Sequence, residues 1–143
     1  MTLLNTLCCA IVLAALSVGC LDQSDRTPVQ GAGNYKSLAL QFVTSLAKRD
    51  YAAAYRVTSK EYQTRTSLDQ MRAGFEAIVP EDWKIVGPIE VGNTMENWPE
   101  KRPLDVGWAY VSVGGDVYSE AVTVIVTSEA QALRVRSVEF GRP

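Results

Sequence analysis

FVTSLAKRDYAAAYRVTSKEYQTRTSLDQMRAGF, residues 42–75, carries the spacing that decides the fold. Working outward from it, Tyr35, Leu38, Ala39, Phe42, Val43 and Leu46 recur on one face of a helix, with Lys36, Gln41 and Lys48 on the other. Asp50 is placed to cap a second, short helix in which Tyr51, Ala52, Tyr55 and Val57 face inward. Lys48 and Arg49 suit the negative end of the helix before it. After a polar stretch over residues 58–66, Ser67 and Gln70 form a capping-box pattern ahead of Leu68, Met71, Phe75, Ile78 and Val79. Pro80 ends that third helix.

Beyond Pro80 the period shortens to two. Trp83, Ile85, Ile89 and Val91 alternate around Gly87-Pro88, which predicts a bent or edge strand. Residues 106–113, 118–127 and 132–140 then read as three strands, with turns at Gly114-Gly115-Asp116 and around Ser128-Glu129. Val122, Val124 and Val126 on one side and Ala121 and Ile125 on the other place the third strand centrally. Leu133 and Val135 share one parity, Val138 and Phe140 the other. A bulge near Arg136-Ser137 brings all four to one face. The expected fold is α+β: three N-terminal helices packed on a curved antiparallel sheet of about four strands.

At the other end of the chain, residues 3–21 hold no charge and finish in Ser17-Val18-Gly19-Cys20, followed by polar Asp22, Gln23, Ser24 and Asp25. This run is short for the roughly 20 residues of a bilayer helix and fits a removable export signal. It resembles a bacterial lipoprotein signal, with Gly19 at the restrictive position before the cysteine. Ser17 stands where such signals usually carry Leu, and the start lacks Lys or Arg. An ordinary signal or an uncleaved anchor is the alternative reading. The resemblance implies a signal peptide over residues 1–19 and palmitate-type acylation of Cys20, which becomes the first residue of the processed chain. Cys8 and Cys9 leave with the leader, so no free thiol remains. Residues 20–34, with Pro28, Gly31 and Gly33, form a flexible tether, and residues 35–143 form one domain. Leu21 after the cysteine implies the periplasmic face of the outer membrane if the cell is Gram-negative, and the cell envelope in any case.

The helical half also resembles the NTF2-like domains of exported bacterial proteins, cone-shaped α+β units. The residues that carry this are Asp50-Tyr51-Ala52-Ala53-Ala54-Tyr55, entering the second helix, and Ser67-Leu68-Asp69-Gln70-Met71, opening the third. The resemblance spans residues 35–140. It implies a scaffold shared by enzymes, ligand binders, secretion-machine parts and inhibitors, so function must be sought in the site.

There are 14 basic and 16 acidic residues, all beyond Cys20, and no histidine. The balanced charge offers no nucleic-acid footprint. The missing imidazole removes Ser-His-Asp and Cys-His nucleophilic machinery and His-based metal sites. Gly31-Ala32-Gly33 and Gly114-Gly115 lie in tether and hairpin rather than in a phosphate loop, and Glu81-Asp82 and Glu96 with Glu100 are too loosely grouped for a metal. No catalytic residue and no cofactor is assigned. The NTF2-like resemblance does imply one histidine-free chemistry, isomerase or dehydratase action by a buried carboxylate beside a tyrosine; Tyr55, Tyr62, Tyr110, Asp69 and Glu90 are its candidate polar groups.

Trp83, Trp108 and Tyr110 either line the mouth of the cone for an apolar or sugar-like ligand or fill the space between sheet and helices. Tyr55 reads as a core tyrosine with its hydroxyl at the rim. Trp98 and Arg102, in the long loop of residues 92–105, are either the anchors of an interface or part of a loop folded back on the sheet edge. The sequence thus reads as a lipid-anchored, non-enzymatic cell-envelope protein, joined to the membrane through Cys20, that binds an envelope protein or a small apolar ligand. An immunity or secretion-accessory lipoprotein is a subclass of this reading, and the isomerase-type enzyme is its rival.

Overall fold

The computed structural model describes residues 35–142. The expected leader and tether, with Cys20, lie outside the described residues. Four helices, α1 (Tyr35–Ala47), α2 (Tyr51–Arg56), α3 (Lys60–Arg65) and α4 (Leu68–Ile78), precede four strands, β1 (Ile85–Met95), β2 (Asp105–Gly115), β3 (Ser119–Glu129) and β4 (Ala132–Phe140). The strands form one antiparallel meander in chain order, an open α+β arrangement with helices packed on one sheet face. No helix among the described residues is long and apolar enough to cross a membrane.

The expectation of three helices is corrected to four. α3 falls in the polar stretch of residues 58–66, where Tyr62 is its one buried residue, so no apolar period announces it. Its signal is the cap: the Ser59 hydroxyl accepts from the Tyr62 amide at 3.1 Å. α4 has the expected capping box, with Ser67 and Gln70 bonding each other's backbone N–H groups at 2.8 and 3.2 Å. In α2, Tyr51 and Ala54 are buried and Ala52 is exposed, a rotation from the predicted inward face. Arg49 makes the α1–α2 corner with φ 61, a left-handed conformation rare outside glycine. Its guanidinium fixes the corner by donating to the Tyr51 hydroxyl at 3.0 Å and the Pro80 carbonyl at 2.8 Å.

Phe42, Val43 and Leu46 from α1 and Met71 and Phe75 from α4 meet Ala109, Val111, Val113, Val122, Val124 and Val126 from the central strands, all fully buried. Each such large side chain contributes about 1.5–3 kcal/mol of transfer free energy, which is how a chain with no bridging cysteine in this region is held together. Tyr35 opens α1 with its ring over Gly107, where any Cβ would overlap it. β4 carries the expected bulge. Ile125 pairs with Ser137 and Val126 with Val135, so Arg136 is the extra residue, and Leu133, Val135, Val138 and Phe140 all join the core. β1 is the edge strand, as Pro88 requires. The other edge, β4, is partly closed where Val135 exchanges backbone bonds with Val57 and Ser59.

Candidate binding recesses at the loop pole

Thr127 lies on the sheet face of Thr123 and Ile125, opposite the core valines, and a register shift at Val106 sets Asp105 against it. The bulge in β4 turns Arg136 toward the same place. There the Arg136 Nε donates to Asp105 Oδ1 at 2.7 Å and Nη2 to Oδ2 at 2.8 Å, a bidentate pair. Its carboxylate side chain is 0% exposed and its guanidinium side chain 9%. The Arg102 amide also donates to Oδ2, at 2.9 Å. Three donors thus satisfy a buried charge that unpaired would cost several kcal/mol.

Over this pair runs the β1–β2 loop. The Thr127 hydroxyl and the Ser128 amide both donate to the Leu104 carbonyl at 2.9 Å, clamping the backbone and leaving the Leu104 side chain 66% exposed. From the side, the Arg102 Nη1 donates to Glu61 Oε1 of α3 at 2.9 Å, and this bond holds the Glu61 carboxyl below its ordinary range. Arg65 reaches the Arg136 carbonyl at 3.3 Å, and Glu129 accepts from the Lys60 amide at 3.1 Å. Loop, hairpin and α3 are therefore knitted together through polar contacts.

Three adjoining recesses open in this knit, of about 380, 340 and 230 Å³, and Leu104 lines all three. Arg136 lines two of them, with Nη1 free of the Asp105 pairing. Glu61, Glu96, Asp105 and Glu129 face Lys101, Arg102 and Arg136, so the surface offers polar contacts of both signs around an exposed leucine. Such a surface suits hydrogen bonding and apolar contact.

It does not suit proton transfer. Asp105 is engaged by Arg136 and the Arg102 amide, with no tyrosine against it. A carboxylate–tyrosine pair does occur elsewhere: the Tyr51 hydroxyl donates to Glu76 Oε1 at 2.9 Å. Burial pushes the Tyr51 hydroxyl up and the Arg72 guanidinium holds Glu76 down, so the proton stays on the phenol and the charge on the acid. That pair ties α2 to α4. Among the described residues no group of His, Cys, Asp and Glu is arranged to hold a metal.

The residues singled out from the sequence are dispersed. Arg102 belongs to the recess pole. Trp98 is half-buried within its own loop, with the Lys101 Nζ 5.8 Å from its ring centroid and its shielded Nε1 lacking a partner. Trp108 and Tyr110 alternate with buried Ala109 and Val111, so they lie on the sheet face away from the helices and do not fill the core. Tyr110 covers Gly92 there. Trp83 sits at the far end of the sheet, over Gly115 and stacked on Tyr118. The Tyr55 hydroxyl donates to the Thr66 carbonyl at 2.9 Å, tying α2 to the end of α3. Tyr62 is core, and Asp69 and Glu90 are exposed. Sequence reasoning missed Asp105, Leu104, Glu61 and Arg136. The charge in the middle of an apolar strand at Arg136 is the signal that points to a buried partner. No protein-family model, curated protein or solved structure matches the chain.

Proposed function

We propose that this chain is an exported lipoprotein whose NTF2-like domain, held at the membrane by acylated Cys20, binds a protein partner at the recess pole without catalysis. The observation that carries this is the pair Asp105–Arg136 flooring a set of recesses that share one exposed leucine. A pre-built, hydrogen-bonded floor lowers the ordering cost of association. The individual recesses are at or below the small end of ligand pockets, roughly 300–1,000 Å³, and adjoin one another, which suits side chains of a partner better than one enclosed molecule. Arg102 and Leu104 are then the contacts the partner reads, and Trp98 supports the loop that presents them. Immunity and secretion-accessory roles are forms of the same activity.

Photo-cross-linking in cells tests it. A cross-linking residue at Leu104 is expected to give a discrete protein adduct that is absent from exposed Ala77 on α4 and lost on Arg102→Glu. The same adducts at both positions contradict the proposal. Labelling with a fatty-acid analogue tests the anchor, and Cys20→Ala is expected to abolish it. Unaltered labelling removes the lipoprotein reading.

A further inference from the structure

At the opposite end of the sheet from Leu104, the chain exposes apolar side chains that the recess pole does not use. Val117, at the tip of the β2–β3 hairpin, is 83% exposed, Val86 on the edge strand 67% and Tyr118 45%. Tyr118 stacks on Trp83 at 5.0 Å between centroids and 20° between planes. Trp83 in turn covers Gly115 on the core side, whereas Val86 alternates with core-packed Ile85 and faces the other way. Val117, Tyr118 and Trp83 therefore form one patch, closed at its base by the Gly115 amide donating to the Tyr118 carbonyl at 3.0 Å.

We propose that this patch inserts into the interface of the bilayer that carries the anchor, so that the domain is gripped at two points and its recess pole faces away from the lipid. The proposal rests on the anchor reading above. Three side chains fall far short of the roughly 20–30 residues a side that a stable protein interface uses, so a second copy cannot be held by this patch alone. A fluid bilayer demands no shape complementarity. Tryptophan and tyrosine beside an exposed valine have the amphipathic character favoured at headgroup level. Weak insertion suffices once a covalent anchor raises the local concentration of lipid.

The length of the connection permits it. α1 begins with Tyr35 over Gly107, near the recess pole, and Gly115 lies eight residue steps further along β2, about 27 Å at a strand's rise. The 15 residues from Cys20 to Asn34 span at most about 50 Å when extended, so the chain reaches back past the sheet to the lipid. Charge selects the lipid class. Exposed Glu81, Asp82 and Asp116, against Lys84 and the Arg72 that reaches Glu81 at 3.7 Å, leave the border net negative, which fits zwitterionic rather than anionic headgroups.

Residues 20–143 contain the whole core and a single thiol, Cys20, which can be coupled chemically to a maleimide-headgroup lipid. In a Trp98→Phe, Trp108→Phe background, Trp83 is the remaining indole. Coupled to zwitterionic vesicles containing spin-labelled acyl chains, Trp83 is expected to be quenched, less so when anionic lipid is added. Val117→Asp, at a position too exposed to disturb the fold, is expected to abolish the quenching. Absent quenching of Trp83, or quenching that survives Val117→Asp, overturns the proposal. Because the coupling replaces natural acylation, a failed fatty-acid labelling of the native protein removes the anchor reading and leaves this outcome to be read on its own.

Discussion

The two ends of the sheet differ in how they satisfy their exposed groups. At the recess pole, charges and carbonyls are answered by named partners, from the Asp105–Arg136 pair to the clamped Leu104 carbonyl. At the hairpin pole, Val117 is 83% exposed and Tyr118 45%, with Trp83 stacked behind Tyr118. A surface with its polar groups pre-organised is prepared for specific contacts. A small surface with its apolar groups bare is the one the proposed insertion into lipid would cover.

The largest effect that breaks this contrast is expected at the recess floor. Asp105→Ala leaves a buried guanidinium uncompensated and is expected to cost about 3–5 kcal/mol in urea unfolding. Asp105→Leu with Arg136→Met is expected to recover most of that loss, because replacing a buried pair by apolar residues is close to neutral. A loss below about 1 kcal/mol for the single change means that this pole is not rigidly floored.

At the hairpin pole, Gly115→Ala pushes a methyl group into the Trp83 ring and is expected to cost about 1–3 kcal/mol, read as a fall in melting temperature with a change in indole emission. Val117→Asp at the same pole is expected to change stability by no more than about 0.5 kcal/mol, since its side chain has little to lose. Equal effects for the two changes deny that Trp83 is seated and Val117 bare.

The smallest effect is a pH dependence at the recess pole. The Arg102 hydrogen bond lowers the Glu61 carboxyl from its ordinary 4.5. A folded-state value below the unfolded one means that Glu61 contributes fully above 4.5 and loses that contribution as pH falls through the lowered value. Acidification is therefore expected to release the loop from α3 and shift Trp98 emission. Glu61→Gln, which has no charge to lose, is expected to show no such step. A step that persists in that variant belongs to another group.

What could be read in advance follows the range of the interactions. The Ser67-Gln70 capping box is local, and so is the conflict of parity between Val135 and Val138 that located the bulge at Arg136. The central place of β3 follows from apolar residues on both its faces. Asp105–Arg136 joins residues 31 positions apart, and nothing near Asp105 marks it as buried. α3 is too short and too polar for its period to show. In β2 both parities carry apolar or aromatic residues, Val106, Trp108 and Tyr110 against Ala109, Val111 and Val113, so the face of Trp108 is fixed by the packing of α1 rather than by its own strand. The β3–β4 turn falls at Ala130 and Gln131, later than the pattern placed it, because both adopt positive φ, 49 and 65, without the glycine or asparagine that announces such turns.

The account turns on the two poles having opposite tasks, and thiol labelling in opened envelope membranes measures that directly. On the proposed processing, in which Cys8 and Cys9 leave with the signal and Cys20 carries the acyl group, an introduced cysteine is the one free thiol. Leu104→Cys is predicted to react with a membrane-impermeant maleimide at once, and Val117→Cys to stay protected until detergent dissolves the lipid. Protection at Leu104 with free reaction at Val117, or equal reaction at both, contradicts the account.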